Sequence, residues 1–461
     1  MERKNAWAAY AGDDGKVEAF AKAYCDFINN GKTERECVAY GEKLAKAHGF
    51  EDLNAVVRSG RKLNAGARVY ANWMGKSFML FVLGEKPLEE GMNILGAHID
   101  SPLIDVKQNP LYEDTDLAYL DTHYYGGIKK YQWVAIPLAL HGVIVRKTGE
   151  KVIINIGEDE NDPVFCISDL LVHLAQEQMA KNAKEVVEGE ALNLIVGGRP
   201  LEGEEKDAVK ANVLKLLADK YGVEEEDFLS AELEIVPAGK ARDMGFDRSM
   251  ILGYGHDDRV CAYPSMMAVL DYEGTPDYTL CCIVTDKEEI GSVGATGMAS
   301  HYLENTVAEL YACTADYCDL AVRRCLRNSR MLSSDVSAGY DPNFASAFEK
   351  KNSAFLGRGI CFNKFTGSRG KSGSNDANPE FMASLRKIMD DAGVAFQTAE
   401  LGRVDLGGGG TIAYLCAKYG MNVIDSGIAV LSMHAPYEII SKVDLYEGYR
   451  CYCAFLKGAK P

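Results

Sequence analysis

Six short apolar runs constrain the fold of this chain more than any other feature. They are SFMLFVLG (77–84), MNILGAHID (92–100), YTLCCIVTD (278–286), RMLSSDVS (330–337), FLGRGICFN (355–363) and MNVIDSGIAVLSMH (421–434). They read as strands of a mainly buried sheet. Helical stretches lie between them, which predicts an α/β architecture with a mixed central sheet flanked by helices. The N-terminal region fits that frame. KVEAFAKAYCDFINNG (16–31) has apolar residues at helical spacing and stops at Gly31, and Thr33 to Glu36 forms a capping box for a second helix ending near His48-Gly49.

The middle of the chain reads differently. LALHGVIVRKTGEKVIINIGE (138–158) is a hairpin with its turn at Thr148-Gly149-Glu150, and helices are predicted near 169–189 and 205–222. We therefore expect three stretches: 1–102 as the first part of a catalytic domain, 103–246 as an inserted β-rich unit, and 247–461 as the second part. An insertion right after His98 and Asp100 would overhang them as a lid.

Composition narrows the classes. With 461 residues, 47% of them hydrophobic, the chain can bury a large core. No run approaches the roughly 20 apolar residues of a membrane helix, and MERKNAWAAYAGDDGK has no signal-peptide pattern. A net charge of −17 argues against a nucleic-acid surface. The 13 cysteines include no Cys-x-x-Cys pair and fit buried, reduced thiols, so a cytoplasmic location is expected.

Chemistry gathers where the apolar runs end. His98 and Asp100 leave their strand on one side, two residues apart, as a metal ligand and its orienting acid or as a polar pair closing a core. GYGHDDRVCA offers His256, Asp257 and Asp258; DKEEIGSVGATG offers Glu288 and Glu289; SSDVSAGYDP offers Asp335; SMHAPYE offers His434. Each has a plainer reading as a turn, a loop acid, a helix cap or a core histidine. Together they sit at strand ends, where open α/β sheets form their ligand crevice. Imidazole and carboxylate suit zinc, and two ions about 3.5–4 Å apart can share one bridging carboxylate. A hydrolase also needs a base that is not a ligand, which Glu288-Glu289 can supply beside a ligand.

Two other stretches carry weaker signals. VDLGGGGTIAYL (404–415) lacks the Lys-Ser/Thr of a phosphate loop and reads as tight backbone next to the site. FNKFTGSRGKSGSND (362–376) is basic, and either a surface loop or a substrate-holding wall through Lys364, Arg369 or Lys371. No Gly-x-Ser-x-Gly elbow supports acyl-enzyme chemistry.

The blocks AHIDSPLIDVKQNPLYED, HDDRVCA, DKEEIGSVGATG, SSDVSAGYDPNF, DLGGGGTIA and SMHAPYEII resemble, in order, the aspartyl and vacuolar aminopeptidase family of dinuclear zinc exopeptidases, closest to a bacterial branch. The resemblance implies His98, Asp257, Glu289, Asp335 and His434 as metal ligands, with Asp257 bridging. It implies Asp100 as the acid that orients His98 and Glu288 as the general base. It further implies two divalent ions per subunit, zinc first with cobalt or manganese as alternatives, and an inserted lid and dimerisation domain. Dimers would assemble into a dodecamer, with His173 a candidate to reach a neighbouring subunit's site. Lys364 is a second candidate for holding substrate. Two departures stand out. His256 precedes Asp257 where many members have Leu, which makes it a competing ligand. GGIKKYQWVAIPLALHG lacks the Trp-Phe-Asp-Arg run of the aspartyl branch, so a preference for acidic N-terminal residues does not follow.

The expected function is release of the N-terminal residue from peptides by metal-activated water. The alternatives are a related metallo-carboxypeptidase or amide deacylase, and a catalytically silent assembly protein on the same fold. Expected partners are peptide substrates and copies of the chain itself, without nucleic acid or membrane.

Overall fold

A computed structural model describes residues 4–460, which divide into two compact units. The first comprises 4–100, 241–433 and 438–460, and the second 101–240 with 434–437.

The first unit is built on a nine-stranded mixed sheet. Its order runs Glu51–Asp52, Arg68–Trp73, Ser77–Val82, Thr279–Thr285, Met92–His98, Arg330–Ser333, Asn422–Gly427, Ile360–Asn363 and Phe396–Thr398. The four runs at its centre are parallel to one another. Both faces are covered, as their unbroken apolar character requires. Leu95 and Ala97 pack on one side with Tyr24, Phe27, Val260 and Phe455, while Met92 and Ile94 pack on the other with Val307, Leu310 and Val322. The same alternation sends Cys282 to the first side and Cys281 to the second. All 13 cysteines are free thiols, most of them buried.

Register is what makes a site. Thr285 lies opposite His98, and Ser333 lies opposite both Gly96 and Asp425. Three parallel strands therefore end at nearly one level, and the residues just beyond them share one edge. The first helices follow the sequence reading: Gly15–Asn30, then Glu34–Ala47, with the capping box formed between Thr33 and Glu36.

The second unit is a six-stranded sheet ordered Lys151–Ile156, Leu138–Val145, Ala231–Pro237, Leu103–Asp114, Leu117–Tyr125 and Leu194–Gly197, accompanied by the helix Ala208–Tyr221. The hairpin turns where the sequence placed it, with Gly149 at φ 85°. The helix expected over 169–189 does not form. That stretch holds the 3-10 turn Val172–Leu174, the four-residue helix Gln176–Met179 and mostly irregular backbone up to the 3-10 turn that starts at Gly189. Leu170, Leu171, Val172, Leu174 and Met179 are all exposed, so no buried face repays the cost of helix nucleation. No helix of the described residues is long and apolar enough to cross a membrane.

Candidate metal centre

His98 ends the central strand, and its ring is fixed from one side. Nδ1 lies 3.0 Å from the Asp100 carbonyl oxygen and 3.3 Å from Asp100 Oδ1. Nε2, the nitrogen turned to the opposite side, lies 3.3 Å from Asp257 Oδ1 and 3.9 Å from Glu288 Oε2, where it could serve as a ligand atom. Asp100 does a second task. Its two carboxylate oxygens accept the backbone N–H groups of Glu288 and Glu289, each at 3.1 Å, which ties the end of the neighbouring strand to His98.

Asp257 and Asp258 come from the start of the helix His256–Leu270. The Asp257 N–H donates to Glu438 Oε2 at 3.0 Å, and the His98 N–H donates to Asp258 Oδ2 at 3.3 Å. Arg259, fully buried, donates Nε to the Ile99 carbonyl at 3.1 Å and Nη2 to the Lys32 carbonyl at 2.8 Å. The helix start is thus fastened to the strand end on both sides of the pair His98 and Asp257. Asp335 follows Ser333 by two residues, and Gly427 explains its close packing: a Cβ there would sit 1.7 Å from the Asp335 carbonyl oxygen.

Three overlapping sets of donor atoms result, each within 4.8 Å of one another: His98, Asp257 and Glu289; His98, Glu288 and Asp335; Asp257, Asp258 and Asp335. Burial raises the pKa of Asp335 well above the carboxylate range, with the Glu288 charge adding to it; burial also raises Asp258, with Asp257 adding. Burial by itself would keep His98 neutral, but hydrogen bonds to Asp100 and Asp257 outweigh it and its pKa rises. Crowded buried acids of this kind cannot all ionise without a cation among them. The donors, imidazole nitrogen and carboxylate oxygen, are those zinc accepts. The residues present fit the metal.

His256, the competing ligand, turns away. Its Nδ1 lies 2.7 Å from the Tyr24 hydroxyl inside the core, and burial lowers its pKa to about 3, so it stays neutral. His434 lies in the second unit, where Nδ1 is 2.8 Å from the Gly127 carbonyl oxygen. His173 stands on the exposed turn at Val172–Leu174. Lys364 is paired to Asp376 at 2.8 Å, and Lys371 shares that carboxylate at 3.0 Å. Gly407 and Gly408 are tight backbone, since a Cβ on Gly408 would meet Ser368 Cα at 2.6 Å, whereas Gly409 and Gly410 have ordinary room.

Sequence reasoning missed Glu438 and Arg259. Both stood in the quoted motif blocks, and an acid opening an apolar strand (EIIS) was the available signal for Glu438.

Comparison with known proteins identifies the family. The family model described as Aminopeptidase I zinc metalloprotease (M18) matches residues 27–456. A probable M18 family aminopeptidase 1 from Clostridium acetobutylicum is 58% identical over 459 residues, covering 99% of this chain and 98% of that protein. The crystal structure of an M18 family aminopeptidase from Thermotoga maritima superposes with a TM-score of 0.94 at 43% identity, covering 100% of both chains. The S. cerevisiae mApe1 dodecamer shares the fold, with a TM-score of 0.76 at 22% identity over 96% of this chain and 97% of that one. These matches bear out the resemblance carried by the motif blocks: the chain belongs to the M18 family of zinc metalloproteases and is an aminopeptidase.

Proposed function

We propose that this aminopeptidase works with two divalent ions, held by His98, Asp257, Glu289, Asp335 and His434, with Asp257 bridging and Glu288 as general base. The observation that carries the reading is the overlap of the donor sets: Asp257 belongs to the set with His98 and Glu289 and also to the set with Asp335. A carboxylate has two oxygens to divide between two cations; a neutral imidazole has one lone pair. His98 and His434 both place Nδ1 against a carbonyl oxygen, which supports Nε2 as the ligand atom of each.

The ions, when bound, lower the pKa of adjacent water towards about 7 and polarise the scissile carbonyl. Glu288 takes the proton of the attacking water and returns it to the leaving amine. Asp100 keeps His98 in one tautomer and holds Glu288 and Glu289 at the strand end. Peptides with a free N-terminus are the substrates. Zinc is the first choice of metal, with cobalt or manganese able to replace it, and Lys364 remains a weaker candidate for contacting substrate.

The insertion, about 103–246, is proposed as lid and dimer unit. Its exposed apolar strip from Leu170 to Met179 is of the kind that marks an interaction face, and His173 lies within it. Dimers would build a dodecamer like that of the yeast protein. Metal analysis and a substrate panel test the whole reading: two ions per chain and cleavage of free but not N-acetylated peptides are expected. A single ion at full activity would overturn the two-ion assignment.

A further inference from the structure

A second cleft in the first unit, of 410 Å³, has a chemistry opposite to the rest of the molecule. Lys351, Arg358 and Arg386 all line it, in a chain whose net charge is −17. None of the three side chains has an ion pair or a hydrogen bond among the described residues. Asn352 and Thr398 add neutral polar groups to the wall. No residue of the metal centre lines it.

The wall is held rigidly. Buried Gln397 accepts the Phe355 N–H at 2.9 Å and donates to the carbonyls of Phe355 at 2.8 Å and Gly359 at 3.2 Å. On the other side of the loop, the buried Asp444 carboxylate accepts the N–H groups of Gly357 and Gly359, each at 2.6 Å. Arg358 lies between those two anchored glycines, with its guanidinium 4.5 Å from the Phe355 ring centroid. Three cations without an ion pair, gathered around one preformed cleft, mark a place where an anion is favoured. Two guanidinium forks and an ammonium suit phosphate oxygens. The volume lies in the small-molecule range and exceeds a single phosphate, leaving room for a polar body beyond the charge.

We propose that this cleft binds a small phosphate-bearing molecule, with Arg358 and Arg386 gripping the phosphate and Lys351 adding charge. The test is calorimetric titration of the intact, zinc-loaded protein at low ionic strength with inorganic phosphate, with AMP and with adenosine as the uncharged control. Saturable binding of AMP is expected, with weaker binding of inorganic phosphate and none of adenosine. Binding should weaken as salt is raised. The double variant Arg358→Gln, Arg386→Gln should lose at least about tenfold in affinity while keeping its melting temperature and peptidase activity, since each lost charge-assisted hydrogen bond is worth that much. Binding of inorganic phosphate equal to that of AMP would show that the free anion is the ligand and no polar body is read. Absence of binding by both, unchanged binding in the variant, or tighter binding of a short Asp/Glu peptide than of AMP would overturn the proposal. If the double variant fails to fold, Lys351→Gln with Arg386→Gln, both on exposed side chains, reads the same loss.

Discussion

Glu438 accepts the backbone N–H of Asp257 at 3.0 Å, and this one bond joins the strand Glu438–Ser441 to the start of the helix that carries the proposed bridging carboxylate. Glu438 is buried, so the bond is shielded from water. Glu438→Ala should lower metal affinity about 10–100-fold, the usual cost of losing an outer partner of a ligand. Glu438→Gln keeps an acceptor oxygen and should restore most of it. Competition with a chelator measures both; equal losses would mean that the charge, and not the hydrogen bond, matters.

Glu288→Gln should cut turnover about 10²–10⁴-fold while leaving the metal content near wild type. The amide keeps the shape but cannot take the proton. Loss of metal in this variant would make Glu288 a ligand and reverse its role with Glu289.

Asp257→Ala should release at least one ion, whereas His256→Phe should keep both. The second variant strands the buried Tyr24 hydroxyl, which now lies 2.7 Å from His256 Nδ1. A stability loss of about 1–3 kcal/mol is expected from that orphaned group. Denaturant titration and metal analysis on the same samples separate the two effects.

Removing the metal should make stability fall as pH rises. Burial raises Asp335 and Asp258 above their ordinary 3.8 in the folded chain, so the folded state holds protons that the unfolded state releases. His98, also raised, acts in the same direction. Stability present below pH about 4 is then lost progressively at higher pH. Metal occupancy cancels the repulsion, so the gap in melting temperature between metal-loaded and chelated protein should widen from pH 5 to pH 8. A constant gap would show that the acids do not repel in the empty centre.

His173→Ala should lower activity with assembly intact, if this exposed residue reaches a neighbour's site. Mixed oligomers of His173→Ala and Glu288→Gln should then regain some activity, because one site can hold both native residues. A verified mixed oligomer without recovery would place His173 outside catalysis in trans.

The alternating apolar runs determined the α/β class, because strands buried on both faces leave only a sheet between helix layers as a solution. Chemical type was legible as well: His98, Asp257, Glu289 and Asp335 could be picked out because polar residues at the ends of apolar runs have few places to go. Local signals held where the interaction is local, as with the capping box at Thr33 and the turn at Gly149. Tertiary structure decided the rest. Apolar spacing over 169–189 suggested a helix, but spacing cannot say whether a face finds something to cover it, and here Leu171 and Leu174 stay exposed among the described residues. His256 and Asp257 are neighbours in sequence, and only the core around Tyr24 shows which of them faces the centre. Glu438 and Arg259 gain their roles through bonds spanning 181 and 160 residues, to Asp257 and Ile99. Such partners are set by strand register and helix packing, which the order of residues along the chain does not display.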